Sequence, residues 1–249
     1  MARAKGLLED MEGHLGELTV YKRDGETFVR TTHIHQPRRL SRGQLLLRER
    51  QSHNNVLWRA LKRSGRVYFD GDKAPYYRFM SVNLVSPVPY LLKQHYYSDN
   101  ALLLPEMVVS DGPLPPVSYQ LGEVDGKPAL LTDLTESRAA KMTLLLYVLT
   151  QRVMPWRDDA DVFRLEITPE ELDVKDFVNV PSPCKDDHCT LALVGDRYAD
   201  AMLGFALVQV KDGKASHQRV VTRCDYYKKY TTEEALQAAA KSYGGLTGE

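Results

Sequence analysis

VYKRDGETFV, residues 20–29, sets the pattern from which the fold can be predicted. Asp24-Gly25 stands between two segments rich in β-forming residues, and a type I′ turn favours this pair because both central residues need positive φ. A two-residue loop places Tyr21 opposite Phe28, and it also sets an arginine opposite a glutamate. Both kinds of pair are favourable across antiparallel strands. The stretch therefore predicts a β-hairpin.

Asp-Gly recurs in the same setting at Asp125-Gly126 and Asp212-Gly213, and the last pair, in FALVQVK-DG-KASHQRVV, predicts a long hairpin. Further β-rich segments are LLLPEMVVS, PALLTDL, KMTLLLYVLTQ, VFRLEI and CTLALVG. Residues 137–150 are dense in Ala and Leu and are also compatible with helix, although Val, Tyr and Thr favour strand. The sheet structure is expected to be mainly antiparallel.

One long helix is predicted in the N-terminal region, from Ser41 to about Ser64. Ser41 and Gln44 form a capping box, in which each side chain satisfies a free backbone N–H of the first turn. One arc of the helix wheel is apolar and predicts the buried face; it contains Leu46, Leu47, Leu57, Trp58 and Leu61. Arg50 and Asn54 fall on the same arc, and a buried arginine is expected to be paired as a structural anchor.

Two shorter helices follow the same rules. PYYRFMSVNL predicts one, and TTEEALQAAAKSYGG predicts a short C-terminal helix. In the second, Thr231 and Glu234 are expected to form the capping box, and Gly244-Gly245 ends the helix. The predicted fold class is α+β, mainly antiparallel sheet with several hairpins, one long N-terminal-region helix and a short C-terminal helix.

Composition bounds the class of protein. The chain has 249 residues, 43% of them hydrophobic and 27% charged, and a net charge of zero. These values favour a globular chain, expected to be one β-rich domain over residues 1–249. The apolar run at Leu7-Leu8 is too short for a signal peptide, and no stretch approaches the ~18 apolar residues that span a bilayer. Three cysteines argue against a disulfide framework, so a cytoplasmic location without membrane contact is expected.

Positive charge is concentrated in one part of the chain, within a hairpin–helix segment of about residues 13–66. Between Tyr21 and Arg66 there are twelve Lys or Arg and three Asp or Glu, although the whole chain is neutral. The residues predicted to contact a polyanion or a partner are Arg38, Arg39, Arg42, Arg48 and Arg59. Such a segment could neutralise phosphates of a nucleic acid. It could equally dock on the acidic remainder of the same chain or of a neighbouring subunit.

CKDDHC is the weak candidate for a metal site. Cys184, His188 and Cys189 lie within six residues, and Cys224 could complete a tetrahedral set. The spacing differs from that of a zinc knuckle, and there is no second pair, so a loop with incidental cysteines is favoured. His33 and His35 form H-x-H without a third ligand in sequence reach. No metal and no cofactor are therefore predicted.

Catalytic signatures are missing from the sequence. It contains no G-x-S-x-G, H-E-x-x-H, Walker A or dinucleotide pattern. The acidic residues Asp158, Asp159 and Asp161 could serve acid–base or calcium chemistry, but such a cluster is more often solvated. An enzyme is not favoured, although catalytic groups can also come together only in the fold.

A family resemblance is carried by the pattern G-x-x-G, Tyr-x-x-x-Gly, Val-Arg and Ser/Thr-x-x-Gln-x-x-x-Arg. The matching residues are Gly13, Gly16, Tyr21, Gly25, Val29, Arg30, Ser41, Gln44 and Arg48. Here, and in VSDGPLPPV and the C-terminal segments, the chain resembles an uncharacterised family of bacterial proteins found mainly in Bacteroidota. It departs from that family at Ser41-Arg42, where Thr-Pro is expected, and in the CKDDHC loop. The resemblance implies one continuous unit and a bacterial source, but no activity.

The leading functional prediction is a non-enzymatic structural or protein-interaction module, whose basic segment meets an acidic surface of a protein partner or of another copy. The alternatives are nucleic-acid or polyanion binding through residues 21–66, and a metal-dependent enzyme around the Cys184–Cys189 loop.

Overall fold

The chain forms two compact units in a computed structural model, Met1–Arg39 and Leu40–Glu249. The residues described are 2–3, 13–15, 18–31, 39–71, 74–84, 87–153, 163–181, 189–194, 203–222 and 225–247. The boundary between the units lies inside the segment 13–66, so each unit is described by itself. That the whole chain forms one domain stays a prediction.

The described residues contain both helices and strands. The helices are α1 (Arg42–Arg63), α2 (Pro75–Val82), α3 (Lys93–Tyr97), α4 (Glu136–Ala139) and α5 (Glu233–Ser242). The strands are β1 (Ala2–Arg3), β2 (Gly13–Leu15), β3 (Leu18–Arg23), β4 (Glu26–Thr31), β5 (Tyr68–Phe69), β6 (Val108–Asp111), β7 (Tyr119–Val124), β8 (Lys127–Thr132), β9 (Thr143–Val153), β10 (Phe163–Leu172), β11 (Phe177–Pro181), β12 (Cys189–Val194), β13 (Leu203–Lys211), β14 (Lys214–Ala215), β15 (Gln218–Arg219) and β16 (Val221–Thr222). Short 3₁₀ helices cover Val174–Asp176 and Tyr226–Thr231. The fold is α+β with mostly antiparallel sheets, as predicted.

The first unit contains a four-stranded sheet in the order β1-β4-β3-β2. Asp24 and Gly25 connect β3 to β4 with φ of 53° and 78°, the left-handed conformation that a type I′ turn requires. Tyr21 pairs with Phe28 in the ladder, so the register is the predicted one. The Asp-Gly turn therefore decides which side chains share a face of this hairpin.

The second unit is built around the sheet β10-β9-β13-β14, in which β16 also pairs with β13. Strand β9 is buried on both faces. Leu145, Tyr147 and Leu149 pack in the same core as α1, whereas Leu146 and Val148 pack against β8. This double burial explains why residues 137–150 lack a clear period: the segment contains the short helix α4 and then a strand without a polar face.

The sheet β15-β6-β5 lies beside this core, and β5 runs parallel to β6. The pairing of β15 with β6 also explains why the prediction of a long hairpin at Asp212-Gly213 is wrong. The turn forms, but β13 and β14 pair over only two residue pairs. After Ala215 the chain turns toward β6, where the Ser110 hydroxyl donates to the Ser216 carbonyl at 2.8 Å.

Helix α1 begins and ends where predicted, with the Ser41–Gln44 capping box present and Ser64 at its C-terminus. Its buried face overlaps the predicted arc at Asn54, Leu57 and Leu61, but it does not include Leu47, which is 61% exposed. The buried residues are Leu45, Glu49, His53, Asn54, Val56, Leu57, Ala60 and Leu61. The predicted arc did not include Glu49 and His53, because polar residues do not mark a buried face in an apolar pattern.

Two details at helix residues differ from expectation. Arg50 is half-buried, and its enclosed Nε has no hydrogen-bond partner among the described residues, so the expected pairing is not found there. The N-cap of α5 is Thr232, whose hydroxyl accepts from Ala235 N, and not Thr231. Shifting the cap by one residue still leaves Gly244 at positive φ beyond the helix, as predicted.

Candidate functional site

Arginines of α1 and of the residues just after it form ion pairs with acidic residues farther along the chain. These pairs are Arg42–Glu233 at 3.0 Å, Arg59–Asp99 at 2.7 Å, Arg63–Asp99 at 2.8 Å and Arg66–Glu171 at 2.6 Å. Part of the basic excess is therefore neutralised within the chain, which is one of the alternatives that the sequence left open. Two of the five arginines predicted as partner contacts, Arg42 and Arg59, are engaged in this way.

The other predicted contact residues differ in what the structure describes. Arg38 lies outside the described residues. Arg39 and Arg48 are exposed, and Arg48 has no ion pair with a described residue. The prediction that these arginines contact a partner or a polyanion stays a prediction.

The weak metal candidates lie mostly outside the described residues: Cys184, His188 and Cys224 are among those not described, as are residues 32–38 and 154–162. Cys189 is the first residue of β12, where it pairs with Pro181. In the part of the chain that is described, no three His, Cys, Asp or Glu side chains are grouped as metal ligands.

One face of the β3–β4 hairpin combines aromatic and basic side chains. The rings of Tyr21 and Phe28 stack with centroids 5.8 Å apart, and the Arg30 guanidinium lies 5.7 Å from the Tyr21 centroid. Both rings are half-buried, and Arg30 is exposed. The opposite face carries Val20 and Thr27, which are 2% and 5% exposed. The same opposite face carries Lys22, which is exposed, and Val29, which is half-buried. The aromatic–arginine face is therefore partly accessible to solvent.

A polar cluster forms where β6 ends. The Asp111 carboxylate is nearly buried; its Oδ1 lies 2.8 Å from His217 Nδ1, and its Oδ2 accepts a hydrogen bond from Arg78 Nε. Burial raises the pKa of Asp111, but the hydrogen bonds from His217 and Arg78 outweigh burial and hold the pKa below its usual value. Asp111 is therefore an ionised carboxylate that orients an imidazole and a guanidinium.

The predictions from the sequence did not include this cluster, although the sequence contains a signal for it. Asp70-Gly71 and Asp111-Gly112 are also Asp-Gly pairs, but they do not form hairpin turns. Asp70 follows strand β5 and Asp111 is the last residue of the parallel strand β6, and Asp70 N donates to Asp111 O at 2.8 Å. The ends of parallel strands are a common place for sites. His217 has no comparable signal, since it lies 106 residues from Asp111.

A second titratable cluster lies under α1. Glu49 is fully buried, with Oε2 accepting from Leu91 N at 3.1 Å and from the Tyr96 hydroxyl. Burial raises the pKa of Glu49 to about 7. His53, one turn later, is 1% exposed and its Nε2 lies 2.9 Å from Leu102 O. Burial lowers the pKa of His53 to about 4, so this histidine is neutral in the folded protein.

Comparisons with known proteins found no match to the chain among protein-family models, curated proteins or solved structures. The resemblance to the bacterial family stays a prediction. No helix in the described residues is long and apolar enough to cross a membrane.

Proposed function

We propose that the chain is a protein-interaction module that binds a second copy of itself through the aromatic–arginine face of the β3–β4 hairpin. The observation that carries the proposal is the composition of this face. Tyr21, Phe28 and Arg30 are adjacent and remain at least partly exposed. Aromatic residues and arginine are the side chains most enriched among those that dominate binding energy at protein interfaces.

Charge selects the kind of partner. The segment Tyr21–Arg66 has an excess of basic residues, and because the whole chain has a net charge of zero, the remaining residues are acidic in sum. A second copy therefore offers acidic residues to Arg23 and Arg30, which are exposed on the hairpin. Opposite charges at the rim of an apolar contact mainly increase the association rate and fix the partner.

The two alternative functions have less support. The side chains of Arg42 and Arg59 are engaged with Glu233 and Asp99, which reduces the positive charge that α1 can offer to phosphates. A metal-dependent enzyme would use the loop around Cys184 and His188, which lies outside the described residues, and no three His, Cys, Asp or Glu side chains are grouped within them.

Light scattering after size-exclusion chromatography tests the proposal over a series of protein and salt concentrations. We expect a concentration-dependent dimer at low salt that weakens as salt is added. Arg30→Glu should weaken dimerisation by about tenfold or more, because it places a like charge at the contact. Lys214→Glu is the matched control, since it makes the same charge change at an exposed residue of another hairpin.

A monomer at every concentration and salt would overturn the proposal, as would equal effects of Arg30→Glu and Lys214→Glu. Fluorescence anisotropy with single- and double-stranded DNA and RNA at low salt addresses the polyanion alternative. Binding that falls steeply with salt and is weakened by Arg48→Glu would favour that alternative instead.

A further inference from the structure

In the cluster at Asp111, Arg78 and His217 each keep nitrogen atoms that have no hydrogen-bond partner among the described residues. Arg78 contacts Asp111 through Nε, and neither of its terminal amino groups has a partner among the described residues. His217 uses Nδ1, and its Nε2 has no partner in the described part of the chain. The side chains of Arg78 and His217 are 46% and 38% exposed, against 9% for Asp111. A buried carboxylate thus holds two groups that solvent can reach.

The hydrogen bond from Nδ1 decides which nitrogen of His217 can accept a proton. An ionised carboxylate is an acceptor only, so the contact with Asp111 Oδ1 places a hydrogen on Nδ1. In the neutral imidazole, Nε2 then carries the lone pair. A base oriented by a carboxylate, with its free nitrogen toward solvent, is the arrangement of a general base.

The backbone around the cluster is fixed on both sides. Ser110 precedes Asp111 and Ser216 precedes His217; both serines are fully buried, and the Ser216 hydroxyl accepts from Gln209 N at 3.0 Å. These hydroxyls are therefore engaged in the scaffold and do not act as nucleophiles. The nucleophile that His217 can activate is a water molecule.

Charge restricts the substrate. Arg78 and Asp111 neutralise each other. Asp70 adds an exposed carboxylate beside Gly112, the residue after Asp111; a Cβ atom added to Gly112 would lie 2.9 Å from Asp70 Oδ2. A site with these three charges repels a dianion such as a phosphate monoester. A neutral substrate meets no such repulsion, and the terminal amino groups of Arg78 can stabilise negative charge that develops only during the reaction.

We propose that Arg78, Asp111 and His217 form a hydrolytic site for neutral acyl esters, with His217 as the general base and Arg78 beside the developing oxyanion. Because Arg78 and His217 bind the same carboxylate, one small substrate can contact both. This activity goes beyond the interaction function and does not depend on it.

The reaction needs only ester and water. His217 Nε2 takes a proton from water as the water oxygen bonds to the carbonyl carbon, and the carbonyl electron pair moves onto oxygen beside Arg78. When the carbonyl re-forms, the bond to the alcohol oxygen breaks, and His217 returns the proton to the leaving alkoxide. The products are a carboxylic acid and an alcohol, and the imidazole is regenerated.

Hydrolysis of p-nitrophenyl acetate by the full chain tests the site. We expect His217→Gln to lower kcat/KM by about 100-fold, the lower range for loss of a general base. Arg78→Met should lower kcat more than it raises KM, because Arg78 acts on the transition state. His217 is partly exposed, so its variant should fold, which an unchanged melting temperature would establish. His14→Gln, in β2, is the matched control, since it removes another histidine by the same substitution.

Activity of wild type that falls at acid pH, together with loss of this pH dependence in His217→Gln, would support the base assignment. The proposal is overturned if His217→Gln hydrolyses the ester as fast as wild type, or if wild type is no faster than heat-unfolded protein. Faster hydrolysis of p-nitrophenyl phosphate than of the acetate would contradict the charge argument and the substrate class.

Discussion

Helix α1 carries polar side chains on two faces that contribute to stability in different ways. On its outer face, Arg42 and Arg59 pair with acidic residues, and the side chains of these pairs are 33–61% exposed. On its inner face, Glu49, His53 and Asn54 are at most 2% exposed. Exposed ion pairs contribute about 0–1 kcal/mol. A buried polar group that loses its partner costs about 1–3 kcal/mol. The inner face therefore fixes the helix in place.

The inner face is polar because of what it packs against. Residues 87–104 include long irregular stretches that are buried, and buried backbone groups outside regular structure need hydrogen-bond partners. Glu49 and His53 supply partners to Leu91 and Leu102, and Asn54 Nδ2 donates to Asn83 O at 2.8 Å. An exposed charge on the outer face is therefore replaceable, whereas a polar atom on the inner face is matched to one backbone group.

The largest effect is expected where this inner network continues to β6. Asn83 is 1% exposed; its Oδ1 accepts from Val108 N at 2.8 Å and its Nδ2 donates to Val108 O at 2.9 Å. Asn83→Ala should lower the free energy of unfolding by about 4 kcal/mol, because two buried backbone groups lose their partner. Urea denaturation measures the loss.

The matched control for that variant is Asn55→Ala, since half-buried Asn55 accepts one hydrogen bond, from the Tyr76 hydroxyl at 2.7 Å. This control should cost about 1 kcal/mol. Equal losses of unfolding free energy in Asn83→Ala and Asn55→Ala would show that the cost of removing a polar side chain does not depend on its burial.

Glu49→Gln should change how stability depends on pH. The folded-state pKa of about 7 lies above the ordinary value of 4.5. The protonated carboxyl therefore favours the fold, and this contribution is present below pH 4.5 and is lost as pH rises through 7. At about 1.36 kcal/mol per pKa unit, the stability of the variant relative to wild type should increase by about 3 kcal/mol from pH 4.5 to pH 8.

Urea denaturation across this pH range measures the change, with Glu123→Gln, at an exposed position of β7, as the control. A constant difference between Glu49→Gln and wild type from pH 4.5 to pH 8 would show that Glu49 titrates normally and that its burial is not maintained in solution.

Local signals in the sequence predict much of the fold. The turns at Asp24-Gly25, Asp125-Gly126 and Asp212-Gly213 all adopt positive φ, because the requirement is set by the two residues themselves. The ends of α1 are equally local, since Ser41 and Gln44 satisfy each other's backbone groups. Neither feature depends on a distant part of the chain, which is why both could be predicted.

The places of Glu49 and His53 on the inner face of α1, and the Asp111 cluster, could not be predicted in this way. Glu49 and His53 lie 42 and 49 residues from their partners Leu91 and Leu102, and His217 lies 106 residues from Asp111. A polar residue in an amphipathic pattern normally indicates a solvated face. Only the fold shows that these polar atoms meet buried backbone groups or each other.

His53→Gln should have a smaller effect of the opposite sign to that of Glu49→Gln. The folded-state pKa of about 4 lies below the ordinary value of 6.5, so the contribution of the neutral imidazole is present above pH 6.5 and is lost as pH falls toward 4. Between pH 7.5 and pH 5 this loss is about 2 kcal/mol. Over the same range the protonation of Glu49 contributes about 2 kcal/mol in the other direction. In wild type the contributions of Glu49 and His53 to the free energy of unfolding should therefore nearly cancel between pH 7.5 and pH 5.

The test is to measure unfolding of wild type, both single variants and the double variant between pH 5 and pH 7.5. His53→Gln should be more stable at pH 5 than at pH 7.5, Glu49→Gln less stable, and the double variant should again vary little. Parallel pH curves for the two single variants would contradict opposite titration of the two buried groups.

The smallest effect is expected on the outer face, where Arg42 pairs with Glu233 at 3.0 Å. A double-mutant cycle with Arg42→Gln and Glu233→Gln isolates the interaction from the other contacts of each side chain. Because both side chains are more than half exposed, we expect a coupling of about 0.5 kcal/mol at low salt and less at about 1 M salt, where the Debye length is about 3 Å. A coupling above about 1.5 kcal/mol that salt does not reduce would mean that the pair is shielded from water, and the outer face would then hold α1 in place together with the inner one.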